Sequence, residues 1–255
     1  MKKNKKLLLL TLLLYFSYQG NAQITIQPVF GDKLIAENTW FVSKNGDSIQ
    51  FDNIRFYLSN IQFEMDDKSI IVDTVNAHLV DIFEPNTFKI NCPKIDVKHI
   101  KTMRFNIGID SLTNVSGALS GDLDPQKGMY WAWQSGYINM KIEGRSPQCK
   151  NRKNVFQYHI GGYLSPFYAM RRVELPLNAQ NTEGVPDVEF VMSDVGKLPK
   201  SDISNPKYTE GVILKFDMYK FFENMHIASQ NSIMMPCKEA MELADWSVQM
   251  FSIHR

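Results

Sequence analysis

Cysteine is scarce in this sequence, and its spacing excludes a common class of metal site. The 255 residues contain three cysteines, Cys92, Cys149 and Cys237, and no Cys-x-x-Cys pair. Such wide spacing argues against a structural zinc site. An odd number leaves at least one thiol unpaired within the chain. Because Cys149 and Cys237 both flank turn-like segments, we predict that these two form a disulfide.

The signatures of several enzyme classes are also missing. The chain has no Gly-x-Ser-x-Gly motif, which would place a nucleophilic serine on a sharp turn. No glycine-rich phosphate-binding loop precedes a helix. No nucleophile, acid and base stand in a recognisable arrangement, so the sequence predicts a non-catalytic protein.

The first 22 residues predict a secretory signal peptide. A basic start (MKKNKK) leads into the apolar stretch 7–16 and then into Gly20, Asn21 and Ala22, which suit signal-peptidase cleavage. The apolar stretch is too short to span a membrane comfortably. We therefore expect an exported protein, periplasmic or extracellular, with a single domain over residues 23–255.

Positive charge is limited once this leader is removed. The leader takes four of the 28 basic residues and none of the 27 acidic residues, which leaves a net charge of −3. A mildly acidic chain without basic runs is a poor binder of nucleic acid. No second apolar stretch is long enough to cross a membrane, so we expect a protein that is not membrane-spanning.

The rest of the chain reads as β-strands separated by turns. Alternating segments predict strands at 24–30, 39–43, 48–65, 69–74, 77–83, 98–109, 156–162, 171–177, 187–192 and 211–221. Pro28 suggests that the first strand lies at a sheet edge. A register shift is expected near Ser59 and Asn60, and a long loop over 113–127. A short helix starting at Pro236 completes an all-β, antiparallel, sandwich-like single domain with long loops.

Aromatic residues concentrate in one stretch, residues 128–137 (GMYWAWQSGY). Trp131 and Trp133 are two of the four tryptophans of the chain. One interpretation is a strand and turn in the β core, where large aromatic side chains bury much apolar surface. The other is an aromatic wall around a binding site.

Two sets of residues could bind metals. Asp110, Asp122 and Asp124 offer hard oxygen ligands for Ca²⁺, but the sequence favours turn-forming aspartates in a solvated loop over this alternative. His78 and His159 lie in apolar strand contexts, and His78 should share a buried face with Val80 and Ile82. Brought together, two imidazoles suit Cu(I), as do thioethers such as those of Met234 and Met235. The alternative is a pair of core histidines with hydrogen-bond partners, and His99, His226 and His254 read as surface residues.

The order of several segments resembles the MbnP-like family of exported copper-binding proteins. The stretch 128–137 is the most specific of them, and the resemblance covers nearly all of the predicted mature chain. The others are 55–61 (RFYLSNI), 77–81 (AHLVD), 105–111 (FNIGIDS), 123–125 (LDP), 141–144 (KIEG), 158–162 (YHIGG) and 234–236 (MMP).

The resemblance implies a β-sandwich domain that binds Cu(I) through two histidines and a kynurenine. In that family a partner protein of the di-haem cytochrome c peroxidase type oxidises a tryptophan to the kynurenine. The two histidines correspond to His78 and His159. The family's tryptophan is expected two residues before the first histidine, where this chain has Asn76, so Trp131 or Trp133 becomes the alternative oxidised residue. A metal-free interaction module is the second hypothesis.

Overall fold

The computed structural model describes residues 23–93, 95–177 and 211–254. The predicted signal peptide, the predicted strand 187–192 and the side chain of His254 lie outside these residues. Within them, no helix is long and apolar enough to cross a membrane.

β-Strands make up 46% of the described residues and helices are few, which confirms the predicted all-β class. The strands are β1 (Gln23–Phe30), β2 (Lys33–Leu34), β3 (Trp40–Val42), β4 (Ser48–Met65), β5 (Ile70–Val72), β6 (Ala77–Asp81), β7 (Lys89–Asn91), β8 (Ile100–Ile107), β9 (Tyr130–Trp131), β10 (Gly136–Arg145), β11 (Val155–Gly161), β12 (Tyr163–Leu164), β13 (Phe167–Tyr168), β14 (Arg171–Pro176), β15 (Gly211–Asp217), β16 (Ser232–Ile233) and β17 (Phe251–His254). The α-helices are α1 (Ser111–Val115), α2 (Met218–Phe222) and α3 (Lys238–Ser247), and 3₁₀ turns occupy Pro85–Phe88, Val97–His99, Gly121–Leu123, Pro125–Lys127 and Val248–Met250.

Two sheets form the sandwich. The larger follows the order β14-β8-β4-β10-β11-β16, with β3, β5 and β6 also paired to β4 and β9 paired to β10. The smaller follows β17-β15-β1-β2, with β7 paired to β1. Most pairs are antiparallel, but β1 pairs with β15 and β11 with β16 in parallel.

Strand β4 organises the larger sheet because it is long enough to pair with several strands on each edge. Its bounds, Ser48–Met65, agree with the sequence prediction. The predicted shift near Ser59 and Asn60 is confirmed: Asn60 has φ 49°, and the register with β8 slips between Ser59 and Gln62.

Strand alternation in β4 defines the two faces of the larger sheet. Phe56 stacks on Phe216 of the smaller sheet at 4.5 Å between ring centroids, so its face, which we call the inner face, encloses the main core. Arg55 and Tyr57 point to the opposite side, the outer face. Residues 109–135 pack over part of the outer face and bury a second apolar cluster that contains Tyr57, Met129, Trp131 and Tyr137.

Several local predictions are wrong, each for an identifiable reason. The predicted strand 211–221 ends at Asp217, whose carboxylate accepts a hydrogen bond from Tyr219 N and starts α2. The expected loop after β8 contains α1, which Asp110 caps. Strand β1 is not an edge strand, because β15 pairs with it on one side and β7 and β2 pair with it on the other, with Pro28 in the gap between β7 and β2.

The C-terminal helix is confirmed, but the disulfide is not. Helix α3 buries Ala240, Leu243, Ala244 and Ser247 as predicted, whereas Phe251 begins β17. All three cysteines are free. The Cys149 thiol is buried against the Ile227 carbonyl, while Cys237 Sγ accepts a hydrogen bond from Ala240 N at the start of α3.

Candidate functional site

The structure does not bring His78 and His159 together, so the prediction of one site formed by both is wrong. His78 is paired with Leu58 on β4, and His159 is paired with Lys141, which is paired with Arg55. Arg55 and Leu58 are three positions apart on β4, an odd number, so the two histidines lie on opposite faces of the sheet. Three strand spacings of about 4.8 Å also separate them, about 14 Å in all.

His159 lies on the outer face in a hydrogen-bonded polar cluster. Its Nε2 is 2.7 Å from Glu143 Oε1 on β10. Glu143 also accepts hydrogen bonds from Asn53 Nδ2 at 3.0 Å and from Gln157 Nε2 at 3.4 Å. Only 9% of the His159 side chain is exposed, so little water competes for this contact.

Glu143 fixes the tautomer of the imidazole. The hydrogen bond with His159 lowers the pKa of Glu143 from 4.5 to about 2, so the group is a carboxylate at neutral pH. A carboxylate only accepts, and Nε2 of His159 must therefore carry the proton. In the neutral imidazole the lone pair is then on Nδ1, which has no hydrogen-bond partner among the described residues.

The outer face also carries two cationic side chains, Arg55 and Lys141, which bind the carbonyl groups of a loop that covers the sheet. Asp81, Arg55, Lys141 and His159 form one row across β6, β4, β10 and β11. Arg55 donates to Asp81 at 2.6 Å and to the Lys127 carbonyl at 2.9 Å, and Lys141 donates to the Gly128 carbonyl. Burial lowers the pKa of Lys141. These contacts hold Lys127 and Gly128 over the row of residues that includes His159.

Trp131 belongs to this site, whereas Trp133 lies at its border with solvent. The Trp131 ring covers Gly161, two residues beyond His159 on the same face, and an added Cβ there would lie 2.7 Å from it. Trp131 is 7% exposed and Trp133 is 65% exposed, with 5.6 Å between their ring centroids. Residues 130–137 thus form β9, a turn and the start of β10, and Trp131 lies near His159.

His78 has a separate environment on the inner face. It shares that face with Val80, as predicted, and its Nε2 is 2.6 Å from Asp73 Oδ2. The Asp73 side chain is 2% exposed, and its other oxygen accepts a hydrogen bond from Val75 N. His78 is therefore held by a buried carboxylate. His99 and His226 are exposed, as predicted.

The predicted calcium ligands serve the local backbone instead. Asp110 caps α1 through Thr113 N, Asp124 accepts from Gln126 N, and Asp122 accepts from Leu79 N and Lys127 Nζ. Across the described residues no group of three or more His, Cys, Asp or Glu side chains could hold a metal ion. The turn-forming interpretation therefore accounts for these three aspartates.

Sequence reasoning missed Glu143. The alternation Lys141, Glu143 on β10 indicated polar residues on one face, but its neighbours depend on pairings with β4 and β11, which are distant in sequence. The sequence predicts Met234 as a soft donor but does not identify its neighbours.

The fold and the site together define a β-sandwich protein with a carboxylate-held histidine beside a buried tryptophan. A sequence model of the MbnP family matches residues 19–235, and the chain belongs to that family. The solved structure of MbnP from Methylosinus trichosporium is similar, with 11% identity and a TM-score of 0.54, over 91% of this chain and 97% of that one. At this identity the likeness concerns the fold. No curated protein sequence matches.

Proposed function

We propose that this chain is an exported, non-catalytic copper-handling protein that binds Cu(I) at His159 on the outer face. The observation that carries the proposal is the Glu143–His159 contact of 2.7 Å, which leaves Nδ1 as the available lone pair. Metal-binding histidines usually donate their other ring N–H to a carboxylate or carbonyl, which fixes the ring and raises its basicity. Family membership supports the same assignment.

The donor set fits a soft or borderline ion better than a hard one. The carboxylate nearest to His159 is already bonded to three donors, so it has little capacity left for an oxygen-seeking ion. Imidazole suits copper. His78, on the other face, takes no part in this site.

We extend the proposal to the tryptophans. If one of them is oxidised to kynurenine, Trp131 is the candidate because its ring covers the strand that carries His159. Trp133, which is exposed and whose ring is tilted by 44° against that of Trp131, offers a surface that a di-haem partner could reach. Intact mass of the protein purified from its native host tests this directly.

A metal-free interaction module is the second candidate. It is favoured by the fact that both histidines already have carboxylate partners, at 2.6 and 2.7 Å. It also fits the exposed apolar side chains near the Trp133 turn and the β12–β13 hairpin, such as Leu112, Trp133 and Leu164. Under this hypothesis the stretch 128–137 serves the core and a partner-binding surface.

A Cu(I) competition titration with a colorimetric chelator separates the two candidates. We expect His159→Ala to abolish tight binding, and Glu143→Gln to weaken it by about 10–100-fold, as for other partners of metal ligands. His78→Ala is the matched control and should bind as the wild type does. Stoichiometric binding that survives His159→Ala would refute the assignment, and absence of Cu(I) binding in the wild type would favour the interaction module.

A further inference from the structure

We propose that Met234 supplies a thioether to the same site, so that Cu(I) is held by one imidazole on β11 and one thioether that directly follows β16. This inference rests on the proposed function, because it names a second ligand for the His159 site. It involves coordination only, with no change of oxidation state. The evidence is the strand register, the exposure pattern and the chemistry of the donors.

The register places Met234 beside His159. Strands β11 and β16 pair in parallel, with Gln157 opposite Ser232 and Tyr158 opposite Ile233. Strand β16 ends at Ile233, and Met234 follows it directly, so continuing this register by one residue would place Met234 opposite His159. Neighbouring strands lie about 5 Å apart, and residues opposite each other point to the same face. In that continued register the two side chains would lie next to each other on the outer face.

A contact further along shows that the residues after Met234 still lie beside the end of β11. An added Cβ at Gly162 would lie 3.1 Å from the Pro236 Cβ, so the segment after Met234 still follows the end of β11. The Trp131 ring covers Gly161 between these points. His159, Met234 and Trp131 consequently border one patch of the outer face.

The exposure pattern assigns the Met234 side chain to that face. Ser232 is exposed, Ile233 is 9% exposed and Met234 is 42% exposed, which continues the alternation of β16 by one residue before Met235, 57% exposed, departs from it. Methionine usually fills gaps inside a core. A thioether presented on the surface beside a carboxylate-held imidazole is instead accessible to a ligand.

The pair of donors selects for soft monovalent ions. Thioether sulfur binds Cu(I) well and contributes little to Mg²⁺ or Ca²⁺, which prefer oxygen. Residues opposite each other on neighbouring strands have Cβ atoms about 5 Å apart, so an imidazole and a thioether in such positions could bind the same ion. We therefore expect Ag(I), a soft ion that does not change oxidation state here, to bind as Cu(I) does.

The test combines methionine methyl NMR with three variants. Protein labelled with ¹³C at the methionine methyl groups is titrated with Ag(I), and Met234→Leu assigns the signal. Leucine keeps the approximate volume and removes the sulfur. We expect the Met234 methyl signal to shift until one equivalent is bound, and Met234→Leu to weaken Ag(I) and Cu(I) binding by about tenfold or more. Met235→Leu, the adjacent exposed thioether, is the matched control and should bind as the wild type does.

The outcomes distinguish this inference from the function on which it rests. If His159→Ala abolishes binding while Met234→Leu has no effect and the Met234 methyl does not shift, the thioether ligand is wrong and the His159 site stands. If Met235→Leu weakens binding and Met234→Leu does not, the register argument is wrong. If the wild type binds neither ion, the proposed function fails together with the inference.

Discussion

Replacing Glu143 by glutamine tests the contact on which the site depends. The hydrogen bond from His159 lowers the pKa of Glu143 from 4.5 to about 2 in the folded protein. Because the folded pKa is below the unfolded one, the stabilisation is complete above about pH 5 and is lost as pH falls towards 2. A shift of this size corresponds to about 3 kcal/mol. The side chain is 23% exposed, and solvent screening reduces this to about 1–2 kcal/mol.

The assay is urea unfolding of wild type and Glu143→Gln between about pH 7 and pH 3. We expect the variant to be less stable at neutral pH and the difference to shrink as acid protonates Glu143 in the folded wild type. Glu174→Gln is the control: the Arg104 guanidinium lowers the pKa of Glu174, but that carboxylate is exposed, so its loss should have little effect. A difference that stays constant with pH, or no difference at pH 7, would refute the reasoning.

Three further predictions follow from burial. Gly161→Ala should lower the free energy of unfolding by about 1–3 kcal/mol, because the new methyl would lie 2.7 Å from the Trp131 ring; unchanged stability in urea would contradict this contact. In the native protein, iodoacetamide should alkylate Cys237, which is half-buried, before Cys92, which is buried and whose pKa burial raises to about 12. Equal alkylation rates at the two thiols would refute this order. Burial raises the pKa of Tyr57, so the absorbance at 295 nm that reports its ionisation should rise only when the protein unfolds in alkali. For the same reason the free energy of unfolding should fall above about pH 10. Reversible ionisation of every tyrosine in the native state would contradict this.

Several strands, turns and helix faces could be predicted because they depend on the order of apolar and turn-forming residues within a short segment. Alternation marked the whole of β4, and Asn45 with Gly46 marked the turn before it. The helical spacing of Ala240, Leu243 and Ala244 identified the buried face of α3. Asp217 ended its strand early because a side chain that caps a helix competes with continued strand pairing, which alternation alone does not reveal.

The candidate site could be predicted only in part, because it depends on pairing between distant strands. His78 and His159 were each correctly placed on strands, but β4 and β10 lie between those strands and put the histidines on opposite faces. A change of register by one residue would reverse a face. Because strand pairing also brings Glu143 to His159, their hydrogen bond could not be predicted from the sequence.

The central claim is that His159, and not His78, provides the imidazole ligand through Nδ1. The most direct test is a long-range ¹H–¹⁵N spectrum of the imidazole nitrogens, recorded before and after one equivalent of Ag(I). The account predicts that His159 Nδ1 shifts strongly, that its Nε2 keeps the proton bonded to Glu143, and that both nitrogens of His78 stay unchanged. A shift at His78, or no shift at His159 with metal bound, would contradict it.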